Sequence, residues 1–496
     1  MRKRKFLINT MSALLNQIIM VVCAFILPRL ILATFGSEVN GLISSIQQFL
    51  AVISFLELGV GAVVQAALYK PLAENDSKKI SEIVKSASKF FTKLAIAMMI
   101  YVIGLLCIYP MIVKRNFSVR YIDTLILSMS ISYFAQYFFG LKNQLLVIAD
   151  QRGYIHYGLN SIALILNNIV GVLLIIKGCN IQFVKLSTSL ILMIRPIVLE
   201  VYVRRHYEIN HKIKYKYEPI KQKWNGVAQH IATVVLNSTD TIVLTLFSSL
   251  ANVSIYNIYY LVINGLNNLV VSLTSSLQSL IGNMLSKSEN ELLNDFFNVY
   301  ESAFHLIVTF LFGCVAVLIT PFVLVYTNGV EDINYNVPVF AVLISIANLI
   351  YCLRLPYNTL IKAAGHFKET QNSAWLEMII NIVVSVISVA KFGLIGVSIG
   401  TLVAMLYRTI YLVWYLSQNI VYRKVNIFFK HLVADGICFF LILLISRAFK
   451  FSNITFSSWL ILAVKLALCY MVICIFVNFC LFRTSFLNYK LILKKI

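Results

Sequence analysis

Apolar segments of membrane-crossing length follow one another along this chain from residue 8 to residue 482, separated by short polar connections. A hydrocarbon layer about 30 Å thick requires roughly 20 apolar residues per helical span. Only 12% of the residues are charged, which is about half the share that soluble domains carry. A water-soluble core could not hide so much apolar surface. The sequence therefore predicts an all-α polytopic membrane protein.

We expect about fourteen transmembrane helices, because that many segments reach the required length. The first segment contains Pro28 and Arg29 and lacks a small-residue cleavage site, so we assign it as a span and not as a signal peptide. Segment 70–89 has a helical pattern and is predicted to lie along the membrane surface. The predicted spans are residues 8–33, 41–69, 90–113, 121–147, 157–176, 183–203, 226–250, 254–283, 300–326, 336–361, 375–391, 394–416, 431–449 and 459–482.

The distribution of basic residues predicts the orientation of the chain. With the N-terminus in the cytoplasm, the cytoplasmic segments hold about 29 of the 42 Lys and Arg and the outer loops about 7, which satisfies the positive-inside rule. Both termini are then cytoplasmic. The formal charge of +22 is spread over many short loops beside anionic lipid headgroups. Since no single basic patch with interleaved aromatic residues is formed, we expect no nucleic-acid partner.

The first twelve spans resemble two copies of one six-span unit. Ala73-Glu-Asn matches Ser288-Glu-Asn, and segment 141–149 matches segment 356–364, both at a shift of 215 residues (288 − 73 and 356 − 141). Two copies inserted the same way up form a parallel repeat, which is typical of transporters that rock two halves around a central site. The predicted organisation is an N-terminal six-helix lobe 1–210, a basic cytoplasmic linker 211–224, a C-terminal six-helix lobe 225–418 and two additional helices with the C-terminal tail in 419–496.

Motifs of enzyme chemistry are missing from the sequence. HExxH, GxSxG, GxxxxGK[ST], CxxC and groups of His and Cys at metal-binding spacing do not occur. The nine cysteines are scattered, mostly within spans, and we interpret them as small apolar side chains. No outer loop is large enough for the catalytic residues of a glycosyltransferase or polymerase. We therefore expect no enzyme activity, no metal site and no cofactor.

Charged side chains inside membrane spans are costly and therefore informative about function. We predict that four intramembrane arginines face a cavity and bind an anionic substrate: Arg29, Arg195, Arg354 and Arg408. Their guanidinium groups suit a phosphate-bearing substrate. The alternative is snorkelling, in which a long side chain near a helix end reaches the headgroups. We adopt that alternative for Arg447 and Lys465.

Acidic groups within the spans are fewer than basic ones. Glu57, Asp240 and Glu377 could each neutralise an arginine, coordinate a coupling ion or carry a proton. Glu57 and Asp240 are our candidates for the coupling ion or for charge pairing.

Neutral polar residues recur at spacings of three and four along four spans, which places them on one side of each helix. Interhelical hydrogen bonds, worth about 0.6 kcal/mol each, would explain a single stripe of this kind. Four stripes together with the arginines favour a wet cavity for a hydroxyl-rich, anionic substrate. The predicted polar lining of this cavity consists of Asn237, Asn264, Asn268 and Asn381.

Three regions of the sequence carry a resemblance to a known family. They are Leu27-Pro-Arg in span one, the segment from Phe55-Leu-Glu-Leu-Gly-Val-Gly to Asp76 at the end of span two, and Asn237-Ser-Thr-Asp-Thr with Val253-Ser-Ile-Tyr-Asn around spans seven and eight. In these regions the chain resembles Wzx-type polysaccharide flippases. That family shares a superfamily, the multidrug/oligosaccharidyl-lipid/polysaccharide (MOP) exporters, with multidrug antiporters and the lipid II flippase. Span count, repeat and length extend the resemblance over the whole chain.

The resemblance implies two six-helix lobes in a V shape, two further helices and a basic central cavity. It implies a bacterial inner-membrane (plasma-membrane) protein that flips an undecaprenyl-pyrophosphate-linked oligosaccharide to the outer leaflet by alternating access, for cell-surface polysaccharide biosynthesis. Its partners would be this lipid-linked substrate, membrane lipids, and the polymerase and glycosyltransferases of the same polysaccharide. At the motif positions of the family, Arg29 matches the arginine of span one and Asp240 the acid of span seven. The other arginines rest on the residue argument alone.

The energy source and several rival functions stay open at this point. Export could be driven by the membrane potential or by a Na⁺ or H⁺ gradient. The rivals are a drug/cation antiporter of the same fold, a lipid II flippase, a major-facilitator-type transporter and a membrane polymerase or ligase. A cationic drug should meet a net acidic cavity, whereas the charged residue of span one here is Arg29. The identity of the glycan is also open.

Overall fold

The structure is a computed structural model that describes residues 2–57, 59–113, 117–210, 213, 215, 218–220, 227–287, 289–366, 368–421, 423–449, 451 and 453–482. Within these residues the chain is all-α, and 12 helices are long and apolar enough to cross a membrane. The predicted fold class, an all-α polytopic membrane protein, is thereby confirmed. Most of the predicted basic linker 211–224 lies outside the described residues.

The helices fall into two compact units, Met1–Leu246 and Phe247–Ile496. The first unit contains α1 Arg2–Val52, α2 Val60–Glu74, α3 Ser77–Val113, α4 Val119–Ala135, α5 Leu141–Ala149, α6 Gly153–Ile176, α7 Ile181–His206 and all but the last residue of α8 Val227–Phe247. The second contains α9 Leu250–Ser286, α10 Asn290–Tyr326, α11 Pro338–Leu353, α12 Leu355–Ala363, α13 Gln371–Phe392, α14 Leu394–Asn419, α15 Asn426–Ser446 and α16 Phe456–Leu481.

Glycines interrupt the first two predicted spans. Within α1, Gly36 has φ of 84° and ψ of 174°, so this element consists of two helices that meet at a kink. A 3₁₀ turn, Ile53–Glu57, follows α1, and Gly59 with φ of 70° precedes α2. Both glycines have positive φ angles, which residues with a Cβ rarely adopt. The predicted span 41–69 is therefore a broken helix, with Glu57 at the break.

Segment 70–89, predicted to be a surface helix, is shared between two longer helices. α2 continues to Glu74, and α3 begins at Ser77 and runs without interruption into the following span. Asp76 caps α3, because its Oδ1 accepts a hydrogen bond from the Lys79 N–H at 3.0 Å and its Oδ2 lies 3.1 Å from the Lys79 ammonium. These two interactions lower the pKa of Asp76.

The 12 membrane-length helices and the roughly fourteen predicted spans differ at two places. α1 is counted as one membrane-length helix. Its two halves on either side of Gly36, however, contain the first predicted span and the start of the second. α9 carries the predicted span 254–283 but is not among the 12. All the other predicted spans coincide with helices or helix pairs.

The internal repeat predicted from the sequence reappears in the lengths of the helices. α3 and α10 each have 37 residues, α5 and α12 each have 9, and α7 and α14 each have 26. The fourth span of each copy is divided, as α4 and α5 in the first unit and as α11 and α12 in the second. Each copy thus has the same order of long, divided and uninterrupted helices.

Apolar side chains cover the outer face of the helices as well as their contacts. On α16, Leu468, Val472 and Phe476 are 60%, 68% and 66% exposed, whereas Tyr470 and Cys474 are buried against the rest of the unit. In water such an exposed apolar face would be strongly unfavourable. Hydrocarbon removes that penalty, which is why both faces of this helix are apolar.

Small residues bring α13 and α14 into close contact. Gly396 and Gly400 form a GxxxG motif on α14 and face the backbone of α13. A Cβ atom on Gly400 would lie 2.7 Å from the backbone nitrogen of Ser385, and one on Gly396 would lie 2.5 Å from that of Val389. In hydrocarbon, where helices gain little from burying apolar surface, such close approach is a main source of helix association.

We predict that Gly400→Ala lowers the stability of the protein by roughly 1–3 kcal/mol, because the added methyl group forces α13 and α14 apart. The measurement is thermal unfolding of the detergent-solubilised protein, followed by thiol-reactive dye fluorescence. Gly436→Ala on α15 is the control, because a Cβ there meets no atom within 4 Å. It should leave stability unchanged or raise it by up to about 1 kcal/mol through helix propensity. Equal effects of the two substitutions would contradict the packing argument.

Candidate functional site

Arg195 of α7 is bound by neutral amide groups. Its Nη2 donates to Oε1 of Gln136 at 2.5 Å, and its Nη1 donates to Oδ1 of Asn160 on α6. The amide of Asn160 in turn donates to Asn16 of α1 at 2.8 Å, and that of Gln136 donates to Gln144 of α5 at 3.2 Å. These partners replace part of the water around the guanidinium group without neutralising its charge.

The helix carrying Gln136 is distorted where it meets Arg195. Residues Gln136–Gly140 form a π-turn between α4 and α5. A Cβ on Gly140 would lie 2.9 Å from Cδ of Gln136 and 3.1 Å from Cβ of Pro196, so a larger residue would displace the Gln136 side chain. π-turns within helices occur frequently at functional sites. Pro196 follows Arg195 directly in the sequence. Because Gly140 lies close to Pro196, the π-turn and this proline pack against each other.

The C-terminal end of α7 contains a second charged group, in which one carboxylate contacts two basic side chains. The carboxylate of Glu200 accepts a hydrogen bond from Asn143 at 2.6 Å and lies 3.2 Å from Nζ of Lys142 and 2.8 Å from Nε of Arg204. These side chains line a cavity of about 280 Å³. Unlike Arg195, the basic groups here have a carboxylate partner.

In the second unit, Arg354 occupies the break between α11 and α12. The break follows from Pro356, which lacks a backbone donor and clashes with the preceding helical turn. Arg354 is 7% exposed, its Nη1 donates to Oε1 of Glu377 on α13, and its guanidinium carbon lies 4.8 Å from the centre of the Tyr351 ring. This arginine is therefore both paired and stacked.

Two further cations lie within electrostatic range of this pair. Arg408 of α14 interacts with Arg354 and Glu377, and Lys362 of α12 interacts with Arg354 and Arg408. Arg408 is 6% exposed, and among the described residues its Nη1 has no hydrogen-bond partner. Three cations and one carboxylate give this group a formal charge of +2. Such an excess of buried positive charge favours an anionic ligand.

The two arginine groups occupy equivalent places in the repeat. Arg195 and Arg408 are each the fifteenth residue of a 26-residue helix (195 − 180 and 408 − 393). In each unit the divided fourth span places a residue at its break that interacts with this arginine. Gln136 interacts with Arg195 in the first unit, and Arg354 interacts with Arg408 in the second. In each unit the following helix supplies another, which is Asn160 in α6 and Glu377 in α13. We refer to these as the first and second arginine sites.

Three other charged residues were predicted to have functional roles. Arg29 is half-buried in α1, directly after Pro28, and Asp240 of α8 is 3% exposed. Glu57 accepts a hydrogen bond from the hydroxyl group of Tyr137 at 2.8 Å. The roles predicted for these three residues stay predictions.

The predicted polar stripes divide into buried and exposed residues. Asn381 is 1% exposed and donates to Thr401 at 3.2 Å, so this part of the stripe joins α13 to α14. The side chains of Asn237, Asn264 and Asn268 are exposed.

Sequence reasoning did not single out Gln136, Asn160 or Lys362. The signal for the first two was available, since both are polar residues within predicted spans. On α9 the buried asparagine is Asn267, and the predicted Asn268 beside it is exposed. The amide of Asn267 donates to Asn348 of α11 at 2.7 Å. A stripe of polar residues shows that one face is polar, but its spacing does not fix the helix rotation against its neighbours.

Comparison with known proteins shows the fold. No protein-family model matches the chain, and no curated protein matches it significantly. Among solved structures, the lipid II flippase MurJ in an inward closed conformation matches with a TM-score of 0.70 and 15% identity, over 95% of this chain and 99% of that one. An inward-facing MATE-family multidrug resistance transporter of the MOP superfamily matches with a TM-score of 0.57 and 13% identity, over 80% of this chain and 94% of that one. The Vibrio cholerae MATE transporter VcmN in its bent form matches with a TM-score of 0.53 and 15% identity, over 87% and 96% respectively. The chain therefore has the MurJ/MATE-like fold.

We predict that Glu377→Gln lowers stability by roughly 3–5 kcal/mol, because it leaves the buried Arg354 and Arg408 without a countercharge. The charge-matched double variant Arg354→Gln/Glu377→Gln should recover most of that loss. Thermal unfolding in detergent measures both effects. If the single and double variants were equally stable, Glu377 would not be the countercharge of this site.

Proposed function

We propose that this protein is a flippase that moves an undecaprenyl-pyrophosphate-linked oligosaccharide from the cytoplasmic to the outer leaflet by alternating access. The observation that carries this proposal is the pair of equivalent arginine sites, both with excess positive charge. Among the described residues, the hydrogen-bond partners of Arg195 are neutral amides, and the second site has three cations for one carboxylate. We further propose that the membrane is the bacterial inner membrane and that the flipped lipid is used in cell-surface polysaccharide biosynthesis.

A pyrophosphate group cannot enter hydrocarbon without a replacement for its water of hydration. Guanidinium groups serve this purpose well, because their planar arrangement of N–H donors matches two phosphate oxygens at once. Amide groups around Arg195 orient the side chain and leave its charge available to a ligand. The lipid tail can stay in the bilayer while the charged headgroup crosses.

The membrane potential is the simplest energy source for this movement. Carrying a negative headgroup out of a cell with a negative interior gains about 2.3 kcal/mol per charge for each 100 mV. A Na⁺ or H⁺ gradient acting through Glu57 or Asp240 is the alternative source that the sequence suggested.

A drug/cation antiporter is the second candidate, and two of the fold relatives described above are MATE transporters. A cationic substrate needs acidic partners in its binding site. At the second arginine site, Glu377 is the sole carboxylate in contact with Arg354 among the described residues, and the net charge is positive. This charge balance favours an anionic lipid headgroup over a cationic drug.

A lipid II flippase is the third candidate, because the relative that covers 95% of this chain bears that name. Lipid II is itself an undecaprenyl-pyrophosphate-linked saccharide, so the arginine sites suit either headgroup. The two candidates differ in the sugars attached to the pyrophosphate. They can be separated by offering both lipids to the same reconstituted protein.

We predict that Arg195→Gln lowers the rate of flipping by roughly tenfold to a hundredfold, since a hydrogen bond to a charged group is worth about 1.5–3 kcal/mol. Flipping is measured in proteoliposomes with fluorescent undecaprenyl-pyrophosphoryl N-acetylglucosamine and, separately, with fluorescent lipid II. Arg447→Ala is the matched control, because Arg447 is exposed at the end of α15. If Arg29→Ala, Arg195→Ala and Arg354→Ala each retained full flipping, the substrate-binding assignment would be wrong.

We also predict that flipping accelerates when an inside-negative potential is imposed in the direction of export. A potassium gradient with valinomycin sets the voltage, and the initial rate of lipid movement is compared with that at zero potential. Since each charge gains about 2.3 kcal/mol per 100 mV, the acceleration should be several-fold at physiological voltage. Rates indifferent to voltage and to Na⁺ and H⁺ gradients would exclude this energy source.

A further inference from the structure

A separate group of buried ionisable side chains lies within Phe247–Ile496. The histidine cluster consists of His305 on α10 and of His431 and Asp435 on α15, which are 1%, 4% and 3% exposed. Nδ1 of His305 lies 2.5 Å from Oδ2 of Asp435. The rings of His305 and His431 stack, with their centres 5.1 Å apart and an angle of 29° between them.

An ion pair adjoins the histidine cluster on the same side of α10. Glu301 is fully buried and lies one turn before His305. Its Oε1 accepts hydrogen bonds from Nη2 of Arg423 at 2.5 Å and from the hydroxyl group of Tyr357. Nη1 of Arg423 donates to the exposed Asn298 at 2.9 Å. This ion pair therefore connects the buried cluster to the surface of the unit.

The other helices packed against α10 contribute no further charge to the histidine cluster. α9 and α11 contain no Asp, Glu, Lys, Arg or His. Lys362 of α12 interacts with the second arginine site, while Lys430 of α15 and Lys465 of α16 are exposed. The ring of Phe482, directly after α16, stacks on His431 at 4.1 Å between centres. Among the described residues, the charge of the cluster thus depends on Glu301, Arg423, Asp435 and the two histidines.

Charge balance requires one proton on the two imidazoles. Arg423 neutralises Glu301, which leaves the carboxylate of Asp435 to be neutralised by a single imidazolium. With no proton on the histidines a bare carboxylate would be buried, and with two protons two cations would lie about 5 Å apart. The cluster is therefore built to hold one proton, which either ring can carry.

Two ring nitrogens of the histidine cluster are available for proton exchange. Among the described residues, Nε2 of His305 and Nδ1 of His431 have no hydrogen-bond partner. The nitrogen lone pairs of an imidazole lie in the plane of its ring, so stacked rings direct them side by side and not towards one point. This arrangement does not suit coordination of one metal ion by both rings. Because an N–H bond also lies in the ring plane, each ring exchanges its proton through its own nitrogen once water reaches it.

We propose that the histidine cluster binds a proton that the protein exchanges during its transport cycle, an inference that rests on the transport function proposed above. α15 and α16 both pack against α10. If α15 moves away from α10, water reaches the imidazolium. A solvated histidine has a pKa of about 6.5, so near neutral pH its proton passes to water, and the imidazole and the carboxylate of Asp435 are both hydrated. Return of α15 buries the cluster and takes up one proton again.

The test uses two measurements on the full-length protein. Potentiometric titration of the detergent-solubilised protein counts bound protons. Luminal pyranine fluorescence in proteoliposomes records proton movement while fluorescent undecaprenyl-pyrophosphoryl N-acetylglucosamine is flipped, with the voltage clamped by potassium and valinomycin. The wild-type protein should move protons together with lipid. His305→Gln/Asp435→Asn should lower proton movement per lipid by about tenfold or more, because this charge-matched variant needs no proton for neutrality.

Two further variants test whether the effect is specific to the histidine cluster. His431→Gln removes one of the two proton positions and should also reduce coupling, while the His305–Asp435 pair is kept. His366→Gln is the matched control, because His366 is a half-buried histidine that contacts Tyr415 at 2.9 Å and lies outside the cluster. It should leave the coupling of protons to lipid unchanged. His305→Gln/Asp435→Asn should remove one titrating proton and also uncouple.

The outcomes separate this inference from the proposed function. Lipid movement by the wild-type protein without any proton movement would overturn the proton-exchange site and leave the flippase proposal intact. Unchanged coupling of protons to lipid in His305→Gln/Asp435→Asn would also overturn the proton-exchange site and leave the flippase proposal intact. If the wild-type protein flips neither fluorescent undecaprenyl-pyrophosphoryl N-acetylglucosamine nor fluorescent lipid II, the proposed function fails, and the proton-exchange role fails with it.

Discussion

A charge inside a membrane-spanning helix must be given a substitute for water, and the architecture of this protein follows from that requirement. Intact helices offer no free backbone groups, so the substitutes are side chains from neighbouring helices. Arg195 is bound by amides of the π-turn Gln136–Gly140 and of α6, whereas Arg354 is matched by the carboxylate of Glu377. Where these groups converge, the fourth span of each unit is divided, by a π-turn in one and by Pro356 in the other.

The two copies of the repeat stabilise an intramembrane arginine in different ways. Arg195 and Arg408 stand at the same position of equally long helices. In the first unit the polar groups that contact Arg195 in the described part of the chain are neutral, so the guanidinium charge is solvated and not cancelled. In the second unit Glu377 cancels part of the charge of a larger basic group. Since desolvated charges are costly, the positive excess at both sites is the basis on which we propose an anionic ligand.

The histidine cluster stabilises a buried charge in a third way, which differs from that of both arginine sites. Here a proton supplies the missing charge, because Asp435 is neutralised only when one imidazole is protonated. Its members come from α10 and α15, 130 residues apart in the chain, and each alone resembles an ordinary polar residue in a span. Asp435 is a buried acid within a predicted span, and this was the signal in the sequence that could have led to the cluster.

The sequence by itself determined the all-α membrane fold, the repeat and the arginines worth examining, because hydrocarbon thickness and the cost of buried charge act on each segment separately. The tertiary structure alone decided which polar groups meet. It paired Arg354 with Glu377, placed Gln136 against Arg195 and buried Asn267 in place of Asn268. The physical reason is that these pairings depend on helix rotation, on breaks such as Gly36 and Gln136–Gly140, and on contacts between distant segments. Local periodicity constrains none of these.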